Sequence, residues 1–130
     1  MTREEQKSAA AAEWKRRVSG LYQGDECAPD LQEATDLLWA TMCLFEGDTF
    51  FTAKGLDFQY QIRGNEMFVS RKEKSITRAS VQLAFQKVIE LRGIVTGPKR
   101  LKIFGASYVY PVFQELGLII DGQPELEQTR

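Results

Sequence analysis

The sequence predicts an α+β fold: two N-terminal helices, a three-stranded antiparallel β-meander, then a central helix and a shorter C-terminal helix. Three observations predict it. Apolar residues recur at i, i+3, i+4 and i+7 between Leu31 and Phe45. The period changes to two from Asp48 to about Ser70. Helical spacing then returns after Thr77. At 130 residues, with 43% hydrophobic and 27% charged, the chain fits one domain, 1–130, and is too apolar for wholesale disorder.

Thr2 and Glu5 form a capping-box pattern, and Arg3 to Val18 is rich in strong helix formers, including Ala9 to Ala12. Only Trp14, Val18 and Leu21 are large anchors, so the N-terminal helix within residues 1–24 docks by a narrow stripe or frays. Gly20, Gly24 and Pro29 then predict a loop. Asp30 with Glu33 is a second capping box, opening a helix over 31–45 whose buried face is Leu31, Ala34, Leu37, Leu38, Thr41, Met42 and Phe45, with Gly47 as its stop.

Residues 49–53 and 56–63 read as strands turned by Lys54-Gly55, the second placing Leu56, Phe58, Tyr60 and Ile62 on one face. Arg63-Gly64-Asn65 turns the chain into a partner strand over 66–70. Ser75 or Thr77 caps the central helix, which runs to about Leu91 with Gly93 beyond it. Arg78, Gln82, Gln86 and Glu90 form its polar ladder. Gly97-Pro98 begins a turn or short helix, and Gly105-Ala106-Ser107 leads into a last helix containing Pro111 and ending at Leu116-Gly117. Because proline costs about 3 kcal/mol in a helix interior, this helix is expected to start only near Tyr110. Residues 118–120 predict a short strand, and 121–130 a polar, mobile tail.

The chain has no histidine, which removes His-based triads, Cys–His dyads and His metal sites. Cys27 and Cys43 cannot build a four-ligand zinc site, and Cys43, in an apolar helical run, reads as a small buried thiol. Asp48, Asp57 and Glu66 could approach one another across the meander as in a metal-dependent nuclease, but Met67 and Phe68 stand where an acid-x-Lys triplet would continue. The segment 93–99 has the wrong spacing for a phosphate loop, carries Pro98 in place of a backbone donor, and lacks a Ser or Thr after Lys99. These observations predict no catalysis, no cofactor and no metal. No apolar run reaches the roughly 20 residues of a membrane span, and the charged N-terminus predicts a cytoplasmic protein.

The net charge of −1 conceals segregation. Residues 1–60 carry a net −5, 61–104 a net +7 and 105–130 a net −3. A basic middle segment in an otherwise acidic chain points to an anionic partner. The expected function is therefore a non-enzymatic binding protein, an accessory or regulatory factor that takes nucleic acid, DNA rather than RNA, through residues 63–102. The expected contacts are Arg71, Lys72, Lys74 and Arg78, with Lys99, Arg100 and Lys102 as a second patch; Gln82 is the candidate base reader. Two further nucleic-acid readings stand beside it: a helix-turn-helix over 98–116 turning at Gly105-Ala106-Ser107, and a single-strand stacking platform of Phe58, Tyr60 and Phe68 beside Arg63. Tyr108 and Tyr110 are expected to be exposed near Lys99 and Arg100.

The stretches Phe51 to Leu56, Gly64 to Glu66, Arg71 to Arg78, Gly97 to Lys99 and Gly105 to Tyr108 make residues 45–118 resemble small uncharacterised bacterial proteins of Firmicutes and their mobile genetic elements. The resemblance transfers no catalytic residue. It implies a class, small DNA-binding regulators or inhibitors of host defence enzymes of the anti-CRISPR kind. The second of these would be a protein-binding inhibitor or adaptor, whose acids Glu4, Glu5, Glu13, Asp25, Glu26 and Asp30 could mimic phosphates.

Overall fold

The capping box at the N-terminus forms as the sequence implies: the Thr2 amide donates to Glu5 Oε1 at 2.9 Å and the Glu5 amide donates to Thr2 Oγ1 at 3.1 Å. The coordinates are a computed structural model and describe residues 2–23 and 31–119. Helix α1 spans Arg3–Gln23, so Gly20 lies inside the helix rather than in the predicted loop. The predicted cap at Asp30 falls outside the described residues, as do Cys27 and the 121–130 tail. Helix α2 spans Leu31–Leu44.

α1 is held along its length despite its alanines. Trp14, Val18 and Tyr22 are buried, and the Tyr22 hydroxyl donates to the Leu118 carbonyl at 2.7 Å. At the other end Arg3 donates to the carbonyls of Leu44 and Glu46, and Lys7 pairs with Asp48. Three aromatic or aliphatic anchors suffice because each large side chain fully removed from water stabilises by about 1.5–3 kcal/mol.

The β region is two small antiparallel sheets. β1 (Phe50–Phe51) pairs with β2 (Asp57–Phe58), and the three-stranded meander is β3 (Tyr60–Arg63), β4 (Glu66–Val69) and β5 (Ile76–Thr77) in the order β3-β4-β5. The predicted strand over 56–63 is thus interrupted at Gln59. There the ladder changes partner: the Gln59 amide donates to Ser70 Oγ at 3.0 Å, and its side chain donates to Thr49 Oγ1 at 2.9 Å. The meander's third strand is Ile76–Thr77, which the sequence suggested only as a helix cap. In register, Tyr60 faces Val69, Ile62 faces Met67 and Met67 faces Ile76, so the inner face is continuous and apolar. Leu56 departs from the predicted inner face and is exposed.

Helix α3 spans Arg78–Glu90, capped by Thr77, whose side chain accepts from the Ser80 amide. Val81, Ala84, Phe85 and Val88 are buried, and Phe85 meets Trp14 with ring centroids 5.5 Å apart. Leu83 is exposed and lies off the buried face of α3. A 3-10 turn at Pro98–Leu101 follows, then α4 at Ala106–Leu116. α4 begins four residues before the predicted start and carries Pro111 in its interior. Burial of Val109, Tyr110, Val112, Phe113 and Leu116 offsets the missing amide. Leu118 and Ile119 form no strand; Ile120 lies outside the described residues.

An aromatic chain couples the β1–β2 hairpin to α4. Phe50 lies 5.8 Å from Phe58 and 5.6 Å from Tyr60, and Phe58 meets Tyr108 edge-on at 5.1 Å. Together with the 3-10 turn packed on α3 and α4, this fixes the position of the segment that carries Lys99 to Phe104.

Candidate nucleic-acid interface

Local structure pushes the basic side chains of residues 98–102 outward. Leu101 is buried and Pro98 is half-buried on the same row of the 3-10 turn, because side chains three apart eclipse in that helix. Lys99, Arg100 and Lys102 are left exposed, with Lys102 in a left-handed conformation at φ 57°. Opposite them, the loop joining β4 to β5 carries Lys72 and Lys74, and the tip of the β1–β2 hairpin carries Lys54.

These segments enclose a groove of about 1090 Å³. Its basic lining is Lys54, Lys72, Lys99, Arg100 and Lys102, and among the described residues no carboxylate lines it. Glu73, between the two loop lysines in sequence, is exposed and points no oxygen into an ion pair with them among the described residues. The lining is otherwise largely apolar, with Leu56, Ile103, Phe104 and Tyr108 among the contributors. Phe104 organises one wall: the Lys72 and Lys74 ammonium nitrogens stand 5.1 and 4.9 Å from its ring centroid, and the ring itself is 42% exposed.

The predicted residues divide into two groups. Lys72, Lys99, Arg100 and Lys102 come together at the groove, with Lys74 at its edge on Phe104. The other three are elsewhere or engaged. Arg71 donates to the Asp57 carbonyl and pairs with the Asp57 carboxylate at 2.8 Å. Arg78 pairs with Asp36 at 2.8 Å, donates to Asn65 Oδ1 at 3.2 Å and lies 5.4 Å over the Trp39 ring. It shares with Gln82 a separate hollow that also holds Asp36 and Glu66. Arg71 is neutralised by tertiary contact, and Arg78 and Gln82 face an acidic neighbourhood rather than the cationic groove. Lys54 and Phe104 were missed: the first read only as a turn residue, the second was given no role, and neither has a sequence signal that would place it beside Lys72.

The other readings from sequence are resolved by burial. The segment 98–116 is no helix-turn-helix, since its first element is a single 3-10 turn and its second is packed into the core, with Tyr110 buried and Tyr108 half-buried. The stacking platform is absent because Phe58 and Tyr60 are core residues; Phe68 alone is exposed, with Arg63 5.8 Å over its ring. Cys43 is exposed, not buried, and partial desolvation with the nearby Glu46 carboxylate holds its thiol above the ordinary pKa. Asp48 is paired with Lys7 and Arg3, Asp57 with Arg71, and Glu66 accepts from the Ser75 hydroxyl. Of the acids suggested as phosphate mimics, Glu4 pairs with Lys7, Glu5 caps α1 and Glu13 pairs with Arg16 and Arg17; Asp25, Glu26 and Asp30 lie outside the described residues.

The architecture is that of a small α+β domain; among the described residues there are four α-helices, none long and apolar enough to cross a membrane. No protein-family model matches the chain, and neither does any curated protein or solved structure.

Proposed function

We propose that this protein is a non-enzymatic nucleic-acid-binding protein whose contact surface is the groove between the β1–β2 hairpin tip, the β4–β5 loop and the 98–105 segment. One observation carries the reading: five cationic side chains from three separate segments line one groove from which carboxylates are absent among the described residues. Cations brought together without counter-charges repel one another, and an anionic partner relieves that cost while releasing the counterions condensed on its own phosphates. By contrast Arg3, Lys7, Arg16, Arg17, Arg71, Arg78 and Lys87 each pair with an acid.

The test is fluorescence anisotropy with labelled DNA and RNA oligonucleotides at several salt concentrations. Affinity is expected to fall with salt with a log–log slope of about −0.7 to −0.9 per phosphate neutralised. Lys72→Ala with Lys102→Ala should weaken binding and flatten that slope by roughly two contacts' worth. Arg78→Ala should leave both unchanged. An Arg78→Ala effect equal to that of the lysine pair, or no binding at low salt, overturns the proposal.

A further inference from the structure

We infer that the groove's occupant is a single strand whose bases stack on Phe104, rather than a duplex. This rests on the proposed nucleic-acid reading and specifies its substrate class. A duplex keeps its bases paired inside and offers a protein its phosphates and groove edges, so a surface built for it needs cations and polar groups. Here the cations share the groove with apolar and aromatic side chains: Leu56 and Phe104 are 47% and 42% exposed, and Tyr108 is held edge-on against Phe58. Exposed apolar and aromatic surface set among cations fits unpaired bases, which have a π face that a duplex hides, while their phosphates meet the ammonium and guanidinium groups.

Phe104 is prepared for this exchange. Its ring is occupied by the Lys72 and Lys74 ammonium groups, at 5.1 and 4.9 Å. A base arriving on the ring displaces a contact that is weak at an exposed site, and the displaced ammonium is then within reach of the phosphate attached to that base. Phe104 thus acts as the base-binding residue, and the two lysines are held ready beside it. Gly105, at φ 82°, turns the chain immediately after Phe104 into α4, so the ring is presented from a packed support rather than from a free loop.

The experiment compares four probes on the unmodified protein at one salt concentration: a 15-mer of deoxythymidine, an abasic strand of equal length and charge, a mixed-sequence 15-base-pair duplex, and inorganic polyphosphate. The deoxythymidine strand should bind more tightly than the abasic strand by about 5- to 150-fold, the range expected from stacking one base. Phe104→Leu, which keeps the apolar bulk but removes the π face, should bring the ratio of deoxythymidine-strand to abasic-strand affinity close to one, and a ratio unchanged from the unmodified protein overturns the stacking inference. Equal affinity for the deoxythymidine and abasic strands overturns the stacking inference and leaves the nucleic-acid proposal standing. A duplex that binds as tightly as the deoxythymidine strand does the same. Polyphosphate binding as tightly as every nucleic acid overturns both, reducing the groove to a general polyanion site, and failure of all four probes at low salt also removes both.

Discussion

Replacing Gly105 by alanine tests the packing that supports the groove. Gly105 sits at φ 82°, and a Cβ added there would lie 2.4 Å from Ile76 Cδ1 and 2.6 Å from its Cγ1. Two costs follow. A left-handed conformation costs an L-residue about 1–2 kcal/mol. Ile76 is fully buried, and because Cγ1 as well as the terminal Cδ1 is met, a rotation of the terminal methyl alone does not clear the added Cβ; overpacking of this kind costs about 1–3 kcal/mol. Gly105→Ala should therefore destabilise by roughly 2–5 kcal/mol, lowering Tm by about 10 °C or more in a domain of this size. Gly64→Ala is the matched control: Gly64 has φ 62°, but an added Cβ meets nothing within 4 Å, so only the conformational cost of about 1–2 kcal/mol applies. Urea titration of both variants and of Gly105→Ala combined with Ile76→Val gives the decomposition. Ile76→Val alone should cost about 0.5–1.5 kcal/mol, and the double variant should cost less than the sum, because the δ-methyl is gone. Equal losses for Gly105→Ala and Gly64→Ala, or strict additivity with Ile76→Val, would refute the steric argument.

Three other outcomes are expected. Thr77→Ala removes the acceptor of the Ser80 amide at 3.1 Å and should cost about 1 kcal/mol in urea denaturation, while Thr77→Ser should recover most of it. Tyr60→Phe deletes a buried hydroxyl that donates to the Met42 carbonyl at 2.6 Å; that carbonyl keeps the Phe45 amide as a donor, so the loss should stay near 1 kcal/mol, and a loss above about 3 kcal/mol would contradict this accounting. In alkali, burial raises the Tyr22 and Tyr60 phenols, and the Asp48 carboxylate raises the Lys7 ammonium. The unfolded chain then loses these protons first, from about pH 10, so stability is full below that pH and falls as pH rises above it. Tm measured from pH 7 to 11, alongside phenolate absorbance, checks the sign; a Tm that climbs above pH 10 contradicts it.

Helices were legible in the sequence because their signals are local. The Thr2–Glu5 box, the Thr77 cap and the spacing of Ala34, Leu38, Thr41 and Met42 act within a turn or two of chain, and each appears where it was expected, whereas Leu31, expected on the same face of α2, is exposed and Trp39, not expected there, is buried. The alternation in Tyr60 to Val69 likewise set the inner face of β3 and β4. The sequence could not show where a strand changes partner, as at Gln59, or that α4 would start as early as Ala106 and so carry Pro111 away from its first turn, since both depend on what packs from distant positions.

The same division holds at the groove. The net +7 of residues 61–104 is a property of the sequence alone, and it named Lys72, Lys99, Arg100 and Lys102 as candidates. Which cations stay free was decided by tertiary contact: Asp57 and Asp36, both from the acidic half of the chain, neutralise Arg71 and Arg78, whereas Lys54 from that half joins the basic residues. Charge is additive along a chain, but its field depends on distances in space. Only the folded packing of hairpin, loop and 3-10 turn sets those distances.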